Sequence, residues 1–232
     1  MEHFYIDTTV DSGIILLTGE EHLHCSKVKR HKTGDEIHVV NGRGRKYLTR
    51  IMDIKRVETL LEIDSFEDFE EKDREIIIGI SPTKNPSRLE WFVEKATETG
   101  VSQIFIIQCE RSDKKSVKEE RLHKIVISAM KQSGRYWLPE VRYFSSFYKV
   151  PFHESLGRFS TFIAHCEREE AHLQSKITPG KPAFIAIGPE GDFTPEEVKF
   201  ATDAGCIPVS LGKNRLRTET AGLYALITLL LS

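Results

Sequence analysis

The stretch "PAFIAIGPEGDFTPEEVKFATDAG", residues 182–205, decides how the chain is to be read. Its first residues form an apolar run of strand length. The run ends in Gly188-Pro189-Glu190-Gly191-Asp192, and the helix that follows has its limits written in the residues. Thr194 stands at the cap, Pro195 at the first helical position, Glu197 three residues after the cap and Gly205 at the stop. GPEGD is therefore a strand-to-helix loop. A single G-P-x-G makes a tight turn and nothing more in most proteins, so its meaning depends on the neighbouring segments.

Those segments repeat the alternation. "REIIIGISP", from residue 74, reads as a buried strand, and "SRLEWFVEKATETG" places Leu89, Phe92, Val93 and Ala96 on one helical stripe. Ser87 and Glu90 are expected to form an S-x-x-E capping box, with Gly100 as the stop before the strand "VSQIFIIQC". "ERLHKIVISAMKQSG" is a second helix, with Leu122, Ile125, Val126, Ala129 and Met130 on one face, and "PEVRYF" and "STFIAHC" add strands. "VSLGKNRLRTETAGLYALITLLL" runs from a strand at 206–211 through Gly212 and a basic segment to a helix beginning near Thr218. The class is α/β with a mostly parallel sheet. Open sheets of this kind bind ligands in the loops at the carboxyl ends of their strands. Two glycine-bearing exits, at 188–191 and at 212, offer backbone groups that a flat heterocycle can approach closely. Neither is a Walker A motif or a G-x-G-x-x-G fingerprint, which argues against NTPase and dinucleotide chemistry.

The first 70 residues follow another period. "GIILLTG" (13–19), "DEIHVVNG" (35–42), "KYLTRIMDI" (46–54) and "ETLLEIDSF" (58–66) are short, alternating and punctuated by turn residues, the pattern of a small β-barrel or sandwich. A chain of 232 residues with 39% hydrophobic content can bury one large core or two modest ones. Two domains, 1–70 and 74–232, are expected, with the acidic run "FEDFEEKDRE" as the boundary.

The net charge of −2 hides an asymmetry: residues 22–56 carry ten Lys or Arg against three acids, a local +7. The turn "NGRGRK" (41–46) is expected to hold Arg43, Arg45 and Lys46 out on a hairpin tip, with Lys29 and Arg30 in the same basic module. Basic tips over a rigid barrel suit phosphate contacts, which position RNA without reading its sequence. A solvated basic face is the plainer alternative.

Other classes lose ground. Cys25, Cys109, Cys166 and Cys206 are scattered and form no C-x-x-C pair, so neither zinc nor a disulfide framework is signalled. His22, His24 and Cys25 in "HLHC" are too close in sequence to form a tetrahedral set without distant partners, and no metal is expected. "MEHFYID" lacks the basic and apolar regions of a signal peptide, and "ALITLLL" (225–231) is too short to span a bilayer. The expectation is a cytoplasmic protein without membrane contact.

"KATETGVSQIFIIQCERS", "ERLHKIVISAMKQSGRYWLPEV", "IGPEGDFTPEE" and "SLGKNRLRTETA", in this order behind a basic β-module, resemble the bacterial RsmE-type family, the small-subunit ribosomal RNA uridine-N3 methyltransferases of the SPOUT superfamily. The likeness covers nearly the whole chain. It implies a small PUA-like β-barrel that binds RNA, followed by a SPOUT-type mostly parallel α/β domain with a deep trefoil knot. It further implies a homodimer, S-adenosylmethionine as methyl donor, and small-subunit (16S) ribosomal RNA or the assembled 30S particle as partner. By position, the cofactor loops are Gly188, Pro189, Glu190 and Gly191, then Leu211 and Gly212, then Leu216 to Ala221 with Thr218 and Thr220 among them. Asp192 stands where the family has a glycine, Asn214 where it has an arginine and Arg215 where it has an aliphatic residue.

The chemistry of such a reaction selects its own residues. Uridine N3 is a poor nucleophile while protonated, so the imide must lose its proton or have its developing charge stabilised. The sulfonium donor is already activated, which leaves orientation and electrostatics to the protein. Arg217 is the candidate for stabilising the anion, since its guanidinium presents a planar fork of donors. Glu219 or Glu190 would act as a base or hold Arg217 by a salt bridge; a carboxylate is a weak base for an imide, which favours the second role. Lys84, Arg111 and Arg135 are expected near an RNA-binding or dimer surface, with simple solubility as the alternative. Trp91 and Phe92 are expected in the core or a dimer interface, and His165 and Cys166 near the cofactor. Two rivals stay open: a ribosome-assembly factor that keeps the fold without methyl transfer, and a methyltransferase acting on another RNA or base atom.

Overall fold

The computed structural model describes residues 3–70, 74–112, 117–152, 158–165 and 170–232. The chain divides into two compact units, Met1–Lys72 with Ile127–Leu138, and Asp73–Val126 with Pro139–Ser232.

In the first unit, β1 (His3–Tyr5), β2 (Ile14–Thr18), β3 (Glu36–Val40), β4 (Arg45–Ile54) and β5 (Glu58–Asp68) form one sheet in the order β1-β3-β4-β5-β2. β1 runs parallel to β3 and the remaining pairs are antiparallel. Period-two alternation does the sorting: Ile15 and Leu17 of β2 turn inward, Ile14 and Leu16 outward. The inward set meets Phe4, Val39, Tyr47, Ile51 and Leu61 in a single core. Strand β1 and the short helix α1 (Gly19–Leu23), which leads into a π-helical turn at His24–Val28, have no counterpart in the sequence reading. The "HLHC" cluster straddles the join between α1 and that turn and has a structural use. His22 Nδ1 lies 2.8 Å from the buried Thr59 hydroxyl, and Cys25 is fully buried, its thiol pushed up to about 11 by burial. Among the described residues no group of three His, Cys, Asp or Glu is arranged to hold a metal ion.

The expected basic hairpin tip is instead a docking point. Gly44 N donates to Tyr136 O at 2.9 Å and Leu138 N to Gly42 O at 2.9 Å, so the turn is pinned to the segment Ile127–Leu138. Gly44 has φ 86°, and a Cβ there would lie 2.5 Å from Phe69 O and 2.6 Å from the Trp137 ring. Arg45 does not project. Its side chain is 14% exposed and lies 4.0 Å over the Phe66 ring, donating to Asp11 at 2.7 Å and Asp68 at 2.8 Å. These bonds, Asp68 first, raise its pKa further. Glu67 and Asp68, expected in a linker, are the last residues of β5 and stand opposite Lys46 and Arg45. Arg43 pairs with Asp7, Arg50 with Glu36 and Asp64, and Lys55 with Glu58. The +7 counted along the chain is therefore largely offset in space.

The second unit holds six parallel strands: β6 (Ile76–Ile80), β7 (Gln103–Ile107), β8 (Glu140–Phe144), β9 (Ser160–Ala164), β10 (Ala183–Ile187) and β11 (Ile207–Val209), in the order β11-β9-β10-β6-β7-β8. Strand β10 is buried throughout, which is why its residues read as a continuous apolar run. β7 and β8 extend to one side of β6, while β9 and β11 lie beyond β10. The direction of winding reverses at the β6–β10 boundary, and such a reversal opens a crevice at the carboxyl edge.

The helices are α2 (Pro86–Thr99), α3 (Glu119–Ser133), α4 (Pro195–Asp203) and α5 (Thr218–Leu230). α4 has the expected capping box, with Thr194 and Glu197 satisfying each other's backbone amides. α2 is capped differently from the expectation. Asn85 is its N-cap, its side chain accepting from Ser87 N at 3.1 Å with Pro86 in the first turn, and Glu90 instead pairs with Arg121. The Asn85 carboxamide oxygen reaches the amide two residues on, so Ser87 enters the helix. No helix of the described residues is long and apolar enough to cross a membrane.

Replacing Gly44 by alanine forces both a left-handed backbone and a collision with Phe69 O and Trp137. Urea unfolding should show a loss of about 2 kcal/mol or more. An unchanged midpoint would mean that the turn is not the docking point described.

Candidate active site

Because all six strands are parallel, the exits of β6, β9, β10 and β11 open at one edge. The loop after β10 is the best anchored of them. Thr218 Oγ1, in the first turn of α5, donates to Gly188 O at 3.1 Å. Arg215 donates to Glu190 O at 2.8 Å, and Arg111 to Gly191 O at 2.9 Å and Phe193 O at 3.2 Å. The Glu190 carboxylate accepts from Lys84 N at 3.1 Å, which ties in the exit of β6. Asp192 takes φ 61°, a conformation natural to glycine and tolerated by aspartate, and its carboxylate accepts from Phe193 N at 2.8 Å. The turn thus needs no glycine at position 192.

Beneath it, the buried Glu197 accepts from Thr194 N and from Glu110 N, both at 2.9 Å, joining α4 to the exit of β7. Glu110 in turn accepts from the Tyr148 hydroxyl at 2.8 Å, a bond that pushes the phenol up to about 12. Cys109, also buried, has its thiol pushed up to about 12 by burial and is no nucleophile at neutral pH.

The exit of β11 is open where the β10 loop is tied. Gly212 has φ 121° with nothing within 4 Å of the position a Cβ would take. Leu211 and Leu216 on either side of it are half-buried, Lys213, Asn214 and Arg215 are exposed, and the Ser210 hydroxyl accepts from Gly212 N at 3.1 Å. The neighbouring strand β9 is followed by His165, whose backbone N–H reaches Val209 O at 3.3 Å. Its ring is buried, with Nε2 3.6 Å from the Glu170 carboxylate. Cys166 lies outside the described residues.

The α5 terminus carries the charged candidates. Arg217 is its N-cap residue and is exposed, while Thr218, Glu219 and Ala221 are buried and Thr220 faces solvent. The expected salt bridge between Arg217 and Glu219 or Glu190 is not formed. Glu219 instead lies 3.7 Å from Arg88 on α2, and Glu190 is engaged by the Lys84 backbone. Arg88 escaped the sequence reading because an arginine in the first turn of an amphipathic helix carries no signal of its own. Its partner is 131 positions away.

Of the residues expected to meet RNA, Lys84 and Arg111 belong to the second unit, Arg111 as a clamp on loop carbonyls. Lys29, Arg30, Arg43, Arg45, Lys46 and Arg135 belong to the first. Lys29 and Arg30 are exposed after the π-helical turn, Arg30 at φ 57°, while Lys46 and Arg135 are partly covered.

Comparison with known proteins agrees with this architecture. Residues 70–230 match the family described as RNA methyltransferase domain. Over 97% of its length the chain is 30% identical to ribosomal RNA small subunit methyltransferase E of Bacillus subtilis, of which it covers 94%. Among solved structures it is similar to a probable rRNA-methyltransferase from Porphyromonas gingivalis, with a TM-score of 0.90, 35% identity and coverage of 100% of this chain and 99% of that one. It is also similar to a ribosomal RNA small subunit methyltransferase E from Neisseria gonorrhoeae solved with S-adenosyl methionine bound, with a TM-score of 0.86, 27% identity and coverage of 98% and 95%. The chain belongs to the RNA methyltransferase family, among its small-subunit ribosomal RNA methyltransferase E members.

Proposed function

We propose that the protein transfers a methyl group from S-adenosylmethionine to N3 of a uridine in small-subunit ribosomal RNA, in the cytoplasm and as a homodimer. The observation that carries this reading is the pairing of a tied loop, 188–193, with an open glycine exit at Gly212 on one sheet edge. An adenosine moiety needs apolar faces and a few directed backbone groups. Leu211 and Leu216 would supply the faces, and the backbone of Gly188 to Gly191 and of Leu216 to Ala221 the polar groups. The cofactor, when bound, supplies an activated methyl group.

The rest falls to this chain's own residues. Arg217 stands at the start of α5, where helix amides also favour negative charge, and it would stabilise the uracil anion as the N3 proton leaves. We assign RNA binding to the first unit, as a PUA-like module, with Lys29, Arg30, Arg43 and Lys46 as phosphate contacts. Arg45 is left out because its donors are already spent. Lys84 and Arg135 would extend the contact. The deep trefoil knot rests on the family resemblance, as does the dimer. Exposed apolar side chains on α2 and α5, Trp91, Tyr224 and Ile227, support an interface there.

Calorimetry with S-adenosylmethionine tests the reading at its base. Micromolar binding is expected, and none at millimolar concentration would leave a fold without its chemistry. Gly212→Ala should weaken that binding about tenfold, because alanine is strained at φ 121° and its methyl enters the open space. Equal affinity in the folded variant would place the cofactor elsewhere.

Arg217→Ala should leave folding and cofactor affinity intact but lower turnover by about 100-fold, the usual effect of removing one transition-state donor. A loss under about fivefold would remove Arg217 from that role. For the first unit, replacing Lys29, Arg30 and Arg43 together by serine should weaken RNA binding in filter titrations. The slope of log affinity against log salt should flatten by about two to three. A slope equal to that of the unaltered protein would move the RNA anchor to the second unit.

A further inference from the structure

Three arginines at the carboxyl edge of the parallel sheet already have their donors engaged. Arg215 and Arg111 hold loop carbonyls, and Arg121 grips both oxygens of Glu90. Arg88 differs. Its Nε lies 3.7 Å from Glu219 Oε1, an ion-pair distance too long for a hydrogen bond, and its side chain is 35% exposed. Among the described residues its guanidinium donates no hydrogen bond.

Glu219 is the complement of this. Its side chain is only 10% exposed, and Oε2 is buried without a hydrogen-bond partner. Thr218 beside it is committed to Gly188 O, and Arg88 is the one cation of the described residues that Glu219 pairs with. A buried carboxylate oxygen left without a donor is uncommon and calls for a reason. A proton acceptor must reach the proton it takes, and the uncommitted oxygen of Glu219 is covered. Arg88, on the exposed side of the pair, carries five donors on a long stem that needs something to aim it.

We propose that Glu219 is a positioning residue that holds Arg88 beside Arg217's end of the site, and that Arg88 rather than Glu219 meets the negative charge of the RNA substrate at the reacting nucleotide. This rests on the methyl-transfer reading above. The long contact leaves the Arg88 donors available, and substrate anion and Glu219 share one guanidinium.

Turnover on small-subunit particles lacking the modification, across pH, tests this in Glu219→Gln, Arg88→Ala, Arg88→Lys and the doubles Glu219→Gln/Arg88→Ala and Glu219→Gln/Arg88→Lys. Cofactor affinity and thermal unfolding are followed in parallel. Each of Glu219→Gln and Arg88→Ala should lower kcat by about 30-fold, and their double should stay within about threefold of the Arg88→Ala single, because the two act as one unit. Arg88→Lys should restore part of the rate with Glu219 present and none with glutamine. The pH–rate profile of Glu219→Gln should keep its shape, and cofactor affinity should hold throughout.

Multiplying losses would overturn the coupling. So would a Glu219→Gln profile that loses its acidic limb while Arg88→Ala stays active, which would make Glu219 the base. Lowered melting temperatures with unchanged kcat would reduce the pair to a tie between α2 and α5. An unaltered protein that methylates nothing would instead sink the methyl-transfer reading, and this inference with it, by a separate signature.

Discussion

The hydrogen bond from Thr218 Oγ1 to Gly188 O joins two segments thirty residues apart, and the candidate site depends on it. It brings the first turn of α5, which carries Arg217 and Glu219, to the exit of β10, where Arg215 and Arg111 hold the loop carbonyls. The contact is possible because the strands are parallel and end at one edge. Preorganisation of this kind matters where a reaction requires oriented groups and no covalent partner. Rigidity is unevenly spread: the β10 loop is fixed from three directions, while the Gly212 exit stands open. Fixed donors beside open space suit a ligand that enters and leaves at each turnover.

Charge in the first unit shows how counting along a chain misleads. Cations at 43, 45, 50 and 55 each meet carboxylates brought in by strand pairing or by the loops at 7 and 11. Surface pairs of this sort add little stability, but they do cancel field. What stays uncancelled determines where a polyanion is attracted. The turn at 41–46 is also where the segment Ile127–Leu138 docks, so its glycines serve packing as much as presentation.

Much of the second unit was legible in the sequence because its signals are local. The cap, proline and capping-box glutamate of α4 are adjacent residues with one structural solution, and β10 reads as a strand because both its faces are buried. The β11 exit and the start of α5 followed from Gly212 and Thr218 in the same way. The cap of α2 was misplaced by two residues because Asn85 and Ser87 are both capping residue types, and Pro86 in the first turn accompanies the cap at Asn85. Pairings across long separations left no trace: Arg88 with Glu219, Arg215 with Glu190, and Arg45 with Asp11 and Asp68. A side-chain pairing is a property of the fold, and only the residue types, not the partners, are written in order along the chain. β1 is too short for periodicity to register, and the π-helical turn follows no simple period.

The central claim is methyl transfer to a uridine N3 of small-subunit ribosomal RNA. It is tested most directly by mass mapping of nucleosides from that RNA in cells lacking the gene, before and after the gene is restored. The account predicts that one N3-methyluridine is missing without the protein and returns with it, but does not return with Arg217→Ala. An unchanged set of methylated uridines, or the loss of a methyl group on another atom, would contradict it.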